Sequence, residues 1–249
     1  MKRGIIVASF GTSYEKTRRL CIESIENKIK EEFKEDYVIR AFTSQMIIDK
    51  LKERDNLHIF NLKEAMEDMK AKEIKDVYIQ PLHIIPGHEY EKLLSLGAKV
   101  GKPLLYSEED YKSIVEGLNI GTLDDNEALV FMGHGTDHES DKAYEKLEQF
   151  YRSKGMEKVY IGTVEGCKTI DNILDKLKKT NIEKVKLMPF MLVAGDHAIN
   201  DMASDEDDSW KSILEKNGFQ VEISLKGLGE YEIIQDMYLQ HLKELMEEI

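Results

Sequence analysis

Short apolar runs alternate along this chain with longer segments in which apolar residues recur at helical spacing. The strand-like runs are residues 4–10, 37–42, 76–81 and 103–106, followed by 128–132, 158–164, 184–190 and 219–224. Charged segments of helical period lie between them, such as residues 14–33 and 62–72, and an amphipathic stretch covers 230–247. This alternation predicts an α/β fold in which parallel sheets are flanked by helices.

The order of elements begins again near residue 124, and the two halves align in detail. Phe-Gly-Thr at residues 10–12 corresponds to His-Gly-Thr at residues 134–136, each directly after an apolar strand. Residues 81–88 match 189–197 with one extra residue, and residues 107–111 resemble 227–231. We therefore predict two similar Rossmann-like lobes, 1–123 and 124–249, related by an internal pseudo-repeat. The C-terminal helix can pack back on the first lobe, and a cleft between such lobes is the usual place for a ligand.

Both Gly-Thr segments predict strand-to-helix turns. Thr12 and Thr136 are each followed three positions later by a glutamate, Glu15 and Glu139. Threonine with glutamate at this spacing is typical of a capping box, in which the two side chains accept from free N–H groups at a helix start.

The second half places ionisable residues where the first half has others. The first strand is followed by Phe10 in one half and by His134 in the other, and Glu165 aligns near a serine. The loops after the third strands keep a histidine in both halves, His88 and His197. Only the second half thus has His, Glu and His at the ends of three strands, separated by 31 and 32 residues. Because the carboxyl ends of parallel strands share one edge of a sheet, these three side chains can converge.

Two imidazoles and one carboxylate form an open site suited to a borderline divalent metal such as Co²⁺, Fe²⁺, Ni²⁺ or Zn²⁺. Neutral histidine is also a suitable proton acceptor. The alternative is that the residues act separately, with His134 and His197 in loops or at helix starts and Glu165 solvated.

Charge and composition exclude several classes of function. The chain has 35 Lys and Arg against 48 Asp and Glu, a formal charge of −13, which argues against a nucleic-acid partner. A polyanionic ligand would need a local group of bases, for which Lys16, Arg18 and Arg19 are candidates, unless these three form a solvated helix face. No apolar run approaches the roughly 20 residues of a spanning helix, so we expect no membrane insertion.

The cysteine count and the first apolar run bear on location. Only Cys21 and Cys167 occur, which makes a disulfide framework improbable and favours a cytoplasmic location. The apolar run at residues 4–10 is too short for a signal peptide, and we interpret it as a buried strand.

Several weaker features favour structural interpretations. Residues 97–103 superficially resemble a phosphate loop, but a helix end leading into a strand explains them better. We expect Cys167 to be a small buried thiol, although it could serve as a fourth metal ligand. His83 is predicted to be a hydrogen-bonded core histidine and His138 an exposed residue at a helix start. The acidic stretch at 196–208 favours a solvated helix start over a cation-concentrating surface.

Three longer motifs identify a family resemblance. Residues 132–136 read Met-Gly-His-Gly-Thr, residues 162–166 read Gly-Thr-Val-Glu-Gly, and residues 188–197 read Met-Pro-Phe-Met-Leu-Val-Ala-Gly-Asp-His. Together with residues 8–13 and 81–90, they resemble the anaerobic sirohydrochlorin cobaltochelatases, class II chelatases related to ferrochelatase. The resemblance covers essentially the whole chain.

The resemblance implies a chelatase fold of two lobes and ATP-independent insertion of Co²⁺ into sirohydrochlorin or precorrin-2, in anaerobic cobalamin biosynthesis. It implies that His134, Glu165 and His197 bind the metal and act in catalysis. We further expect substrate contacts from these residues of the first lobe: Phe10, Gly11, Thr12, Ser13 and His88. The expected partners are a tetrapyrrole and Co²⁺ as substrate metal, with no permanently bound cofactor. A nickel or iron chelatase, a bilobal carrier without turnover, and assembly into a homo-oligomer all stay open.

Overall fold

The computed structural model describes residues 3–247. The chain divides into two compact units, one of Met1–Asp110 with Gly229–Ile249 and the other of Tyr111–Leu228. The predicted lobes, 1–123 and 124–249, differ from these units in where the first one ends and in the placement of the last segment. Residues 1–2 and 248–249, at the outer ends of the predicted lobes, lie outside the described residues.

The first unit is built on a five-stranded parallel sheet. Its strands are β1 (Gly4–Ser9), β2 (Tyr37–Phe42), β3 (Phe60–Asn61), β4 (Val77–Pro81) and β5 (Lys99–Val100), in the order β3-β2-β1-β4-β5. Its helices are α1 (Glu15–Thr17), a π-helical segment (Arg18–Glu23), α2 (Ser24–Glu32), α3 (Gln45–Asp55), α4 (Leu62–Ala71) and α5 (His88–Leu94). The division between the units falls inside α6 (Glu108–Gly117).

Helices cover both faces of this sheet because its central strands are apolar on both sides. All six residues of β1 are buried. On one face Ile6 and Ala8 pack with Met69 of α4 and Leu93 of α5. The other face contacts α2 and the last helix of the chain, which comes back to this unit.

The second unit repeats the arrangement with a four-stranded parallel sheet. Its strands are β6 (Glu127–Gly133), β7 (Val159–Thr163), β8 (Lys184–Pro189) and β9 (Gln220–Ile223), in the order β7-β6-β8-β9. Its helical elements are a 3-10 turn (Glu139–Asp141), α7 (Lys142–Ser153), α8 (Ile170–Leu177), a π-helical segment (Ala198–Met202) and α9 (Trp210–Lys216). A second 3-10 turn (Leu228–Glu230) and α10 (Glu232–Glu247) follow. One core packs β6 against α8 and α9, with Val130, Leu174 and Trp210 among its buried residues.

The strand register confirms the internal repeat. Ala8 pairs with Pro81 in the first sheet and Met132 pairs with Pro189 in the second, and the neighbouring pairs likewise correspond. Because the order β2-β1-β4-β5 in the first sheet matches β7-β6-β8-β9 in the second, with the same register around β1 and β6, positions 124 apart at this carboxyl edge are structurally equivalent. The fold class predicted from the sequence is therefore correct.

Polar contacts hold the C-terminal helix α10 on the first unit. In α10 the Tyr238 hydroxyl donates to the backbone oxygens of Leu82 and His83, at 3.2 and 3.1 Å. The buried His241 ring pairs with Asp110 at 2.8 Å. These contacts satisfy polar groups that would otherwise be left unpaired in the interior.

Two sequence predictions about elements are wrong. Residues 103–106 form no strand: the edge strand is Lys99–Val100, because Pro103 lacks an N–H for a ladder. The separate prediction for residues 97–103, a helix end leading into a strand, is confirmed, because β5 follows the end of α5. The capping boxes predicted at Thr12 and Thr136 do not form, since each hydroxyl accepts from the N–H two residues later, in Tyr14 and His138.

Among the described residues, no helix combines the length and apolar character needed to cross a membrane.

Candidate metal centre

His134 lies directly after β6, at the carboxyl edge of the second sheet. Every residue of β6 is buried, so the chain emerges from the core where this imidazole begins. Gly135 has φ +83°, and a Cβ there would lie 2.3 Å from the backbone nitrogen of Gly166. Glycine therefore allows the His134 turn to lie directly against the loop that follows β7.

Glu165 is carried by that loop and is held beside His134 by the backbone. The N–H of Val164 donates to the Gly133 oxygen at 3.1 Å, and the N–H of Glu165 donates to the His134 oxygen at 2.8 Å. Two successive backbone hydrogen bonds thus join the segments just beyond the ends of both strands. As a result, Glu165 Oε2 lies 3.7 Å from Nδ1 of His134.

His197 reaches the same edge from the loop after β8, immediately before the π-helical segment. Its Nδ1 lies 2.6 Å from Oδ2 of Asp201, one helical turn further along the chain. With Nδ1–H donating to that carboxylate, the lone pair is on Nε2 and is available to a metal. Asp201 therefore fixes both the tautomer and the direction of the ring.

The three side chains form one group at the ends of adjacent strands β7, β6 and β8. The His134 and His197 rings meet edge to face, with centroids 4.7 Å apart. One ligand atom from each of His134, Glu165 and His197 lies within 4.8 Å of the other two. The side chains are 48%, 58% and 34% exposed, so the group is open to solvent on one side. Such a group can bind a divalent ion and still leave coordination positions for another ligand.

Buried polar residues support the two loops from below. A Cβ at Gly133 would meet the ring of Tyr144 at 2.4 Å, so this tyrosine packs directly beneath the His134 turn. Burial raises the pKa of Tyr144. Below the Glu165 loop, Lys168 pairs with the buried Glu148.

The pKa values of both Glu148 and Lys168 are lowered. Burial opposes ionisation of Glu148, but Lys168 and the N–H of Ile161 outweigh it and hold the pKa of the carboxyl below its ordinary value. Burial also lowers the pKa of Lys168, against the effect of Glu148. The Lys168 oxygen accepts from the N–H of Thr163 at 2.7 Å, which anchors the far end of the Glu165 loop.

The residues predicted to bind substrate lie at the carboxyl edge of the first sheet. Phe10 follows β1 and is 49% exposed, whereas Thr12 and Ser13 are buried in the turn. Gly11 packs against the ring of Phe42, which a Cβ would meet at 2.5 Å. His88 is the exposed first residue of α5, the helix that follows the loop after the neighbouring strand β4.

Predictions for three other side chains are tested by the structure. Cys167 is exposed, so the predicted buried thiol is wrong, and its sulfur does not belong to the described group of ligand atoms. His83 has buried ring nitrogens, but neither has a hydrogen-bond partner among the described residues, so it is not the satisfied histidine expected. Burial lowers its pKa to about 4. His138 precedes the 3-10 turn and accepts from the N–H of Ser140, which confirms its place at a helix start, but it is half-buried and not exposed as predicted.

The role of Asp201 was not predicted from the sequence. The acidic stretch was expected to be a solvated helix start, yet Asp201 pairs with His197 and Asp205 pairs with Lys211 at 2.5 Å. The i,i+4 spacing of His197 and Asp201 on a helical turn was the feature that could have indicated it.

Solved structures define the class of fold. SirB from Bacillus subtilis, determined with Fe³⁺, aligns with a TM-score of 0.70 at 15% identity, over 99% of this chain and 96% of its own. CbiX, described as the terminal enzyme of siroheme biosynthesis in denitrifying bacteria, aligns with a TM-score of 0.58 at 14% identity, over 98% and 99%. The chain thus has the two-unit α/β fold of the class II chelatases.

Sequence comparison specifies the family within that class. Residues 3–247 match the family described as cobalt chelatase (CbiK), and the chain belongs to that family. A sirohydrochlorin cobaltochelatase of Salmonella typhimurium is 39% identical over 99% of this chain and 97% of its own length. Sirohydrochlorin cobaltochelatase CbiKC of Nitratidesulfovibrio vulgaris is 36% identical over 97% and 89%.

Proposed function

We propose that this protein is a metal chelatase that inserts Co²⁺ into sirohydrochlorin, or its precorrin-2 form, in anaerobic cobalamin biosynthesis and without ATP. The observation that carries the proposal is the group of His134, Glu165 and His197 at one sheet edge, in a chain of the cobalt chelatase family. Two relatives named for this activity align with nearly the whole chain.

In this proposal the three side chains hold the substrate metal before its transfer. Bonds of about 2.0–2.2 Å from nitrogen or oxygen to a divalent metal place ligand atoms roughly 3–4 Å apart. The ligand atoms lie within 4.8 Å of one another, so small side-chain rotations bring them to that spacing. Three protein ligands leave positions for tetrapyrrole nitrogens, and the absence of thiolate from the set favours release of the metal.

Insertion also requires that two pyrrole N–H protons leave the macrocycle. A neutral imidazole takes one proton, at the nitrogen that the departing metal frees, so His134 or His197 accepts one of the two and the other passes to solvent at this open edge. The Asp201 carboxylate beside Nδ1 of His197 stabilises the imidazolium that would result.

The first unit contributes residues for tetrapyrrole binding in the same proposal. The exposed ring of Phe10 offers an aromatic face to a flat macrocycle. The turn of Gly11, Thr12 and Ser13 and the exposed His88 are the further candidates.

The proposed setting is the cytoplasm, with no permanently bound cofactor and no nucleic-acid partner. Neither Cys21 nor Cys167 is in a disulfide, in keeping with a reducing compartment. The formal charge of −13 disfavours binding to nucleic acid.

The decisive experiment follows the absorbance of sirohydrochlorin with Co²⁺, without air or ATP, with and without catalytic amounts of the protein. We expect a protein-dependent spectral shift over many turnovers. Repeating the assay with Ni²⁺ and Fe²⁺ ranks the metals, because affinity alone favours Ni²⁺ over Co²⁺ at most sites of this kind. A change only in proportion to the protein would indicate a carrier, and no change with any metal would reject this substrate.

A further inference from the structure

One carboxylate, that of Asp141, joins the two loops that carry His134 and Glu165. Oδ1 of Asp141 accepts from the N–H of Thr136 at 3.2 Å, and Oδ2 accepts from the N–H of Cys167 at 3.0 Å. Thr136 and Cys167 each lie two residues beyond a member of the metal group. The single side chain thus connects backbone positions 31 residues apart in sequence.

Asp141 lies where the 3-10 turn leads into α7, and its backbone is already helical, with φ −55° and ψ −28°. Its side chain makes no capping hydrogen bond to α7. Both carboxylate oxygens instead accept from N–H groups of the two loops. The side chain thus holds the loops at a fixed separation and does not cap α7.

The equivalent residue in the first unit differs. Thr17 stands five residues after Thr12, as Asp141 stands five residues after Thr136. Its hydroxyl donates to the Tyr14 oxygen at 3.1 Å and lies 3.4 Å from that of Thr12, so its bonds stay within one turn. The carboxylate bridge therefore occurs in the unit that contains the His, Glu and His group.

Space around the bridge is tightly limited. A Cβ at Gly166 would lie 2.3 Å from Oδ1 of Asp141. The residue next to Glu165 must therefore be glycine for the carboxylate to reach both N–H groups. Two charge-assisted bonds to backbone N–H groups fix the loops more firmly than neutral bonds of the same length would.

We infer that Asp141 is a positioning residue of the chelatase site, which sets the separation of His134 and Glu165 and thereby the geometry of the bound metal. The inference rests on the proposed function. Asp141 touches neither metal nor tetrapyrrole in this role, and it acts through the backbone of the two loops. Loss of the bridge leaves both ligands in place but lets their separation vary, so metal affinity and coordination geometry change together.

The test compares Asp141→Asn and Asp141→Thr with the control Asp175→Asn. The amide in Asp141→Asn has the shape of the carboxylate but can accept at one of its two atoms only, and Asp141→Thr introduces the residue found in the first unit. Asp175 is an exposed acid of α8, so its substitution removes one charge from the same unit and leaves the hydrogen bonds to the Thr136 and Cys167 N–H groups in place.

The first measurement is hydrogen exchange of the Thr136 and Cys167 amides in the metal-free protein. We expect both amides to exchange at least about 10-fold faster in Asp141→Thr, at least one of them to do so in Asp141→Asn, and neither to change in the control. Unchanged exchange at both amides would overturn the bridge. This measurement involves no metal, so its result is independent of the proposed function.

The second measurement is a Co²⁺ titration of the same proteins followed by the visible d–d absorption. We expect Co²⁺ to bind about 10-fold more weakly to Asp141→Asn, with an altered band shape at saturation. A residue needed only for folding would leave the band of the bound fraction unchanged, so an unchanged affinity and band overturn the inference. If the wild type gave no Co²⁺ band, the proposed function and the role of the bridge in metal geometry would both be rejected, while the exchange data would still decide the bridge itself.

Discussion

The two units differ in the side chain that follows strand β1 in one and the equivalent strand β6 in the other. Phe10 and His134 occupy equivalent positions, as the matched registers of β1 and β6 establish. Each is about half exposed, so neither is required for packing of its core. Differences between the repeated halves thus point to function more clearly than the features they share.

Replacement of His134 by alanine should abolish metal insertion and leave the fold intact. The substitution removes one of three ligands but little buried surface, because the imidazole is exposed. The free energy of unfolding should therefore change by no more than about 0.5 kcal/mol. We expect turnover to fall more than about 100-fold. The assay is Co²⁺ insertion together with urea unfolding, and His58→Ala, an exposed histidine of the first unit, is the control. Normal turnover by the His134 variant would remove it from the site.

Asp201→Asn should weaken metal binding without loss of a ligand. The amide can present its NH₂ group to Nδ1 of His197, which favours the wrong tautomer and draws the lone pair away from Nε2. We expect Co²⁺ affinity to fall by about 10-fold, as is typical when the partner of a ligating histidine is changed. Isothermal titration should show this loss for Asp201→Asn but not for Asp205→Asn, whose acid pairs with Lys211. Equal affinities would mean that the carboxylate does not orient the ring.

At the scale of elements, the loops after β6 and β7 are positioned by backbone hydrogen bonds just beyond the sheet. The turn after β6 and the loop after β7 are joined by hydrogen bonds of 3.1 and 2.8 Å beyond the last strand residues. The turn requires Gly135, whose φ of +83° and close approach to Gly166 exclude a side chain. The spacing of His134 and Glu165 is therefore a property of two loops acting together.

Gly135→Ala should separate these loops and weaken both the fold and the site. The added Cβ meets backbone atoms at 2.3 Å, so we expect unfolding to become easier by roughly 2 kcal/mol or more, with reduced Co²⁺ affinity.

Gly155→Ala provides a matched control for that variant. Gly155 also has a positive φ, +76°, but nothing lies within 4 Å of its Cβ position. Only the backbone strain of about 1 kcal/mol should appear there, with Co²⁺ affinity unchanged. Denaturant unfolding and Co²⁺ titration of both variants measure the difference, and equal effects would contradict a role for the close approach.

At the scale of the whole molecule, the free energy of unfolding should depend on pH through His83, whose ring nitrogens are buried. Neither ring nitrogen of His83 has a hydrogen-bond partner among the described residues, and burial lowers its pKa to about 4 from 6.5. Between these values the unfolded chain binds the proton and the folded chain does not. Stability therefore falls as the pH decreases from about 6.5 to about 4, by about 3 kcal/mol in total.

His83→Gln should reduce this pH dependence, because glutamine does not titrate in that window. Denaturant unfolding at a series of pH values measures the slope, with His58→Gln as the control that should retain it. A slope as steep in the His83 variant as in the wild type would show that other groups are responsible.

Much of the architecture follows from local patterns in the sequence. The run at residues 37–42 coincides with β2, and residues 62–72 and 230–247 lie within one or two residues of α4 and α10 at each end. These bounds could be predicted because apolar residues recur with the period of a helix or a strand and so mark the buried face of each element. The short strands β3 and β5 have only two residues each, too few to produce a recognisable period.

The sequence by itself determined the two-fold repeat, the α/β class and the three residues whose convergence it predicted, and their role as ligands stays a prediction. Tertiary structure alone decided which carboxylates serve them: Asp141 turns from its own helix to two loops, and Asp201 turns to His197. The physical reason is that apolar periodicity specifies the direction of a side chain within a helix or strand. At the end of an element, that direction depends on which backbone N–H groups and rings the neighbouring loops bring within hydrogen-bonding distance.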